Sequence, residues 1–197
     1  MESKTYMEIK YRVAIMINPN DAYAHNNLGI LLKDLKRFDD AVKEFRKAIM
    51  INPNDAEVHY NLGNVLYRLN RFEEAVKEYR EVIRINPNFA DAHYDLGVEL
   101  YNLNRFEEAE KEFREAIRIK PNDAYAHFNL GVLLDDLKRF EEAEKEYKGA
   151  IRINPNYLEA HINLKNILEY LNRFEEAEKE YREALRINLM AIGHILI

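Results

Sequence analysis

The sequence predicts an all-α fold, a solenoid of stacked antiparallel helix-turn-helix hairpins. Three observations predict it. The chain repeats itself every 34 residues. Within one period, apolar residues recur at three- and four-residue steps. One proline closes each period.

All five prolines, Pro19, Pro53, Pro87, Pro121 and Pro155, keep the 34-residue spacing. His25, His59, His93, His127 and His161 keep it too, as do Gly29, Gly63, Gly97 and Gly131. Phe38, Phe72, Phe106, Phe140 and Phe174 share the register with Ala41, Ala75, Ala109, Ala143 and Ala177. The units are 22–55, 56–89, 90–123, 124–157 and 158–191. A fixed period of this length is the mark of a repeat architecture.

Inside the second unit, Val58, Leu62, Val65, Leu66 and Leu69 outline one helical face. Phe72, Ala75, Val76, Tyr79, Val82, Ile83 and Ile85 outline a second. Both follow a 3.6-residue period and neither alternates like a strand. Asn70-Arg71 divides them, because Asn tolerates the left-handed conformation that ends a helix. Asn86-Pro87-Asn88 ends the second helix, since a residue before Pro is pushed out of helical space. Asn54, Asn88 and Asn156, three residues before Glu57, Asp91 and Glu159, predict capping boxes. One hairpin cannot bury its apolar stripe alone, so the hairpins stack and the core becomes a ribbon. Glu73–Lys77, Glu107–Lys111, Glu141–Lys145 and Glu175–Lys179 predict a solvated outer face.

Composition excludes several classes. Among 197 residues there is no Cys, so no disulfide or thiolate site. The net charge of −6 argues against nucleic acid or an anionic membrane, which call for a surplus of Lys and Arg. No run approaches the ~18 apolar residues of a membrane span. The N-terminus, Met1-Glu2-Ser3-Lys4-Thr5-Tyr6, lacks the apolar segment of a secretory signal. The expected compartment is the cytoplasm.

The repeat resembles the tetratricopeptide repeat family. A family unit carries a large residue, Leu-Gly, a bulky residue, Ala, an aromatic and Pro in fixed order. The second unit supplies His59, Leu62-Gly63, Leu66, Ala75, Tyr79 and Pro87. There are departures. His stands where the family favours Trp. Lys36, Asn70, Asn104, Lys138 and Asn172 occupy the turn position that is commonly Gly. Lys165 replaces the close-approach Gly in the fifth unit, which predicts a slightly splayed last hairpin. The resemblance implies a right-handed superhelical solenoid.

Residues 1–21 read as a partial repeat, its second helix only, on Tyr11, Ala14, Ile15, Ile17 and Pro19. Residues 189–197 form an apolar tail. One reading docks this tail on the open side of the last hairpin. The other makes Leu189, Met190, Ile192, Ile195, Leu196 and Ile197 a self-association surface.

No enzyme is expected. The five in-register His lie ~8–10 Å apart for each helix pair crossed. Metal ligands must all sit about 2 Å from one ion. Those His therefore read as packing residues, with no metal and no cofactor. No phosphate loop, nucleophile elbow or zinc-helix motif occurs.

The resemblance implies that first helices line a concave groove. The groove positions it assigns include an Asn row of Asn27, Asn61, Asn129 and Asn163, interrupted by Asp95. Asn64 and Asn166 lie beside it, with Tyr60, Tyr67, Tyr94, Tyr101 and Phe128. A carboxamide offers both a donor and an acceptor to an extended peptide main chain. A similar asparagine ladder lines the repeat groove of O-linked N-acetylglucosamine transferases, which this one resembles. Tyr supplies rigid amphipathic contact area. Glu57, Asp91, Asp95, Asp34, Asp135, Asp136, Glu159 and Glu169 make the groove acidic, against Lys33 and Arg68. It should prefer a neutral-to-basic segment. The family's carboxylate clamp for acidic C-termini needs cations that no three-unit window supplies; units two to four offer Tyr60, Asn64, Asp95, Tyr125 and Asn129.

The expected function is a non-enzymatic scaffold that binds an extended protein or peptide segment. The alternative is a scaffold that oligomerises through its apolar end repeats. A third reading, a regulatory arm or an engineered array, leaves the partner undefined.

Overall fold

The computed structural model describes the backbone of residues 3–193 and the side chains of residues 3–190. Among them are eleven α-helices and no strand. In chain order they are α1 Lys4–Ile17, α2 Ala22–Asp34, α3 Phe38–Ile51, α4 Ala56–Arg68, α5 Phe72–Ile85 and α6 Ala90–Asn102. Then come α7 Phe106–Ile119, α8 Ala124–Asp136, α9 Phe140–Ile153, α10 Leu158–Tyr170 and α11 Phe174–Gly193.

The chain divides into two compact units at Glu99–Leu100. In the first unit α1 packs on α2, α2 on α3, α3 on α4 and α4 on α5, and the first helices α2 and α4 also touch. In the second, α7 packs on α8, α8 on α9, α9 on α10 and α10 on α11, and α8 touches α10. Each unit is thus a short stack of hairpins with its core running along the stack. Leu28, Leu32 and Phe45 are fully buried in the first unit, and Leu130, Leu133 and Tyr147 in the second. Each such side chain contributes about 1.5–3 kcal/mol through burial.

The turn within each hairpin is built the same way. Lys36, Asn70, Asn104, Lys138 and Asn172 all have positive φ, between 57° and 61°. Asn70 N–H donates to Tyr67 O at 2.9 Å and Arg71 N–H to Leu66 O at 2.9 Å. This pair of bonds satisfies the last carbonyls of the helix around a left-handed residue. Asn pays little strain there, whereas Lys36 and Lys138 are held by the turn against their own preference.

The caps differ from expectation. Asp21, Asp55 and Asp123, not the Asn before them, cap α2, α4 and α8. The Asp55 carboxylate accepts from Glu57 N–H at 3.1 Å and Val58 N–H at 3.3 Å. Asn54 lies one residue too early to reach those donors. Tyr157 stands at the cap of α10 and makes no side-chain cap bond. The Asn preceding Pro does the turn work instead: Asn86 Oδ1 accepts from Asn88 N–H and Asn154 Oδ1 from Asn156 N–H, each at 3.2 Å.

The repeated Gly permits close approach, as its position predicts. A Cβ at Gly63 would lie 2.7 Å from the Tyr79 ring, and one at Gly131 2.7 Å from the Tyr147 ring. Lys165 takes this place in the fifth hairpin, and its facing aromatic Tyr181 is 51% exposed where Tyr79 and Tyr147 are buried. Glu73, Lys77, Glu141 and Lys145 are exposed on second helices, as an outer face requires.

After Asn188 the described backbone continues α11 to Gly193. Leu189 and Met190 are exposed. The side chain of Ile192, and Ile195, Leu196 and Ile197 entirely, lie outside the described residues.

Candidate functional site

In the first unit, first helices meet around a cavity of about 620 Å³. The end of α2 contributes Lys33 and Asp34, and the following turn Lys36. Helix α4 contributes Asn64, Tyr67 and Arg68, and α6 contributes Tyr94, Asp95, Val98 and Glu99. Tyr79 of α5 reaches in from behind. Four of the residues expected from sequence, Asn64, Tyr67, Tyr94 and Asp95, therefore share one cavity.

Charge is sorted by depth there. Lys36, Arg68 and Asp34 are exposed, Asp95 is half-buried and Glu99 is buried. Lys33 and Arg68 sit in the last turns of their helices, where the negative end of the helix dipole favours cations. The wall is thus not uniformly acidic, because Lys36 joins Lys33 and Arg68 around it.

Tyr60 is committed to internal contacts. Its ring lies 5.0 Å from that of Phe89, and its hydroxyl donates to Asp95 at 2.7 Å. Burial raises the Asp95 carboxyl to about 6; the Tyr60 bond opposes the rise and Asp91 adds to it. Glu99 is pushed up to about 7, first by burial and then by the charge of Asp95. The Tyr60 and Tyr79 hydroxyls are raised as well, mainly by burial.

The Asn row divides by role. Asn27 donates to Tyr23 O at 2.9 Å and Asn129 to Tyr125 O at 3.1 Å, each on its own helix. Asn64 accepts from the Tyr79 hydroxyl at 2.8 Å, and Asn163 donates to the Tyr147 hydroxyl at 3.2 Å. Asn61 has no side-chain partner among the described residues. In the second unit Phe128 packs 4.8 Å from Tyr157, and Tyr101 donates to Asp136. Asn166 is exposed between two smaller cavities, one with Asp135, Lys138, Phe140 and Tyr170, the other with Ile162, Lys165, Tyr181 and Leu185.

The repeated His are packing residues with a polar task. His59 Nδ1 lies 2.6 Å from Glu78 and Nε2 lies 3.0 Å from Pro53 O. His127 repeats this with Glu146 at 2.7 Å and Pro121 O at 3.1 Å. A carbonyl and a carboxylate both accept, so the two contacts fit an imidazolium whose ring nitrogens both donate. The Glu78 and Glu146 bonds accordingly raise the pKa of His59 and His127. Each His ties its hairpin to the Pro turn that precedes it. Among the described residues no cluster of three His, Asp or Glu could hold a metal ion.

Sequence reasoning missed Glu99. Its column reads Leu31, Val65, Glu99, Leu133 and Ile167, one carboxylate among aliphatics. Comparing units position by position would have found it.

Family models described as Tetratricopeptide repeat match residues 60–124, 94–157 and 136–189, and one described as TPR repeat matches 31–70. The chain belongs to the tetratricopeptide repeat family. Curated proteins yield no match to the chain. Among solved structures, a crystal structure of MamA aligns with a TM-score of 0.82 and 22% identity, over 84% of this chain and 97% of that one. MamA 41-end from Desulfovibrio magneticus RS-1 gives 0.79 and 20%, over 86% and 96%. YrrB, described as a TPR protein with an unusual peptide-binding site, gives 0.79 and 23%, over 95% and 98%. At these identities the likeness is one of fold. Proteins of this family serve as scaffolds for protein interaction, and the chain is such a scaffold. None of its described helices is long and apolar enough to cross a membrane.

Proposed function

We propose that this scaffold binds an extended, neutral-to-basic peptide segment along its first helices. One observation carries the reading: Asn64, Tyr67, Tyr94 and Asp95 converge on a single open cavity in the first unit. Tyr67 is 42% exposed, and an exposed aromatic beside the Asn64 carboxamide suits a peptide main chain better than solvent. The solved YrrB structure, whose description names a peptide-binding site, lends support through shared fold. No catalytic role is assigned.

The test is selection of a displayed random-peptide library on the parent and on an Asn61→Ala/Tyr67→Ala variant. Neither side chain is buried in the core, so the variant should fold. Enrichment of extended peptides on the parent alone is expected. Equal enrichment on both would remove the groove from consideration.

A second reading has its own observation. Tyr6, Ile9, Met16 and Ile17 leave an apolar face of α1 open to solvent. Ile162, Leu185, Leu189 and Met190 do the same on α10 and α11. Apolar faces of this kind favour self-association. Leu189 and Met190 are the described members of the tail surface expected from sequence.

A further inference from the structure

Glu99 breaks the rule of its own repeat. Its column companions Leu31, Val65, Leu133 and Ile167 are at most 6% exposed, and Glu99 itself is 2% exposed. A carboxylate thus stands where every other unit places an aliphatic core residue. Its Oε2 is buried with no hydrogen-bond partner. Burying such a group without compensation is unfavourable, and native proteins tolerate it where function requires it. Glu99 lines the first-unit cavity, so the buried carboxyl stands directly behind its wall.

The missing partner is a hydrogen-bond donor carrying positive charge. We infer that the cavity is an anchor for one lysine or arginine side chain of the bound peptide, with Glu99 and Asp95 at its floor. This rests on the peptide-binding reading above and names the residue that such a peptide must supply. Tyr67, Tyr79 and Tyr94 line the approach, and aromatic walls favour a cation over a neutral head group.

The rim sets a further rule. Lys33, Lys36 and Arg68 surround the cavity. They repel a second cation next to the inserted one. The anchor therefore selects an isolated basic residue with neutral neighbours, and it disfavours a polybasic run.

The experiment uses peptides enriched from a displayed random library on the full chain. Each is resynthesised with its Lys or Arg replaced by norleucine, and affinities are measured for the parent, Glu99→Gln and Glu99→Leu. Glu99→Leu restores the aliphatic of the other units, so loss of fold is not the expected outcome; circular dichroism checks it. Removing one partner of a buried charge pair should weaken binding by roughly 30-fold or more. Norleucine should weaken binding to the parent by that factor and leave binding to Glu99→Gln almost unchanged. Peptides that bind the parent equally well with lysine or norleucine would overturn the anchor and leave the groove standing. Failure to enrich any peptide would overturn both.

Discussion

At the level of single residues, titration separates two kinds of buried charge. His59 has a raised pKa because Glu78 and the Pro53 carbonyl hold its protonated form. A base raised on folding stabilises fully below its unfolded value of 6.5, and that stability is lost as pH climbs through the folded value. Thermal melts of the parent should fall as pH rises above about 6.5, and Glu78→Gln should flatten that decline. A parent melting point that ignores pH in this window would show that the imidazole is not charged. Glu99 shifts stability in the same direction for a different reason, because burial disfavours its charged form where ion pairing favours that of His59. Its carboxyl, raised from 4.5 to about 7, binds a proton more tightly folded than unfolded. Its unfavourable contribution is absent below 4.5 and complete above about 7. Asp95 on the same helix and Lys33, Lys36, Arg68 and Asp34 around the cavity share that field. Glu99→Leu should therefore raise the melting point more at about pH 8 than at about pH 5. An equal gain at both would assign the effect to packing alone.

At the level of the helical hairpin, two small features decide whether a unit closes. Gly63 and Gly131 let Tyr79 and Tyr147 seat against the first helix. Ala is the better helix former by about 1 kcal/mol. The 2.7 Å approach of its Cβ to a buried ring outweighs this, at about 1–3 kcal/mol for overpacking. Gly63→Ala should thus lower stability in chemical denaturation, and a gain would mean that the ring moves freely. The turn works in reverse. Lys36 has φ 60°, a conformation that glycine adopts without strain. Lys36→Gly should stabilise by up to about 1 kcal/mol, the relief being partly offset by the freer unfolded chain.

For the whole molecule, the question is whether exposed apolar ends find each other. Met16 and Ile17 are 76% and 78% exposed, and Leu189 is 67% exposed. Sedimentation velocity of the parent should show a mass that rises with concentration. Leu189→Glu/Met190→Glu should remain monomeric over the same range, because a buried carboxylate pair opposes association. A monomeric parent at every concentration would set self-assembly aside. Net charge also acts at this scale. With −6 in total, the molecule attracts cationic peptides, and that attraction weakens as salt screens it.

The sequence by itself determined the helices, their hairpin pairing and the turn position between them. Each depends on local signals repeated in register: a 3.6-residue period, a proline, and one residue able to take positive φ. It also marked the close-approach Gly and its loss at Lys165, since a missing Gly is visible against four copies that keep it. Tertiary structure decided the rest. Whether Asn54 or Asp55 caps α4 turned on one residue of backbone geometry. Whether an asparagine bonds its own helix or a tyrosine hydroxyl on the next one depended on side-chain orientation in the packed hairpin, so Asn27 and Asn64 look alike in the chain and differ in the fold. Glu99 shows the boundary best. Its oddity was readable from the aliphatic column around it, but only packing reveals that its carboxylate is buried, unpartnered and beside a cavity, because burial is a property of assembled helices and not of any one of them.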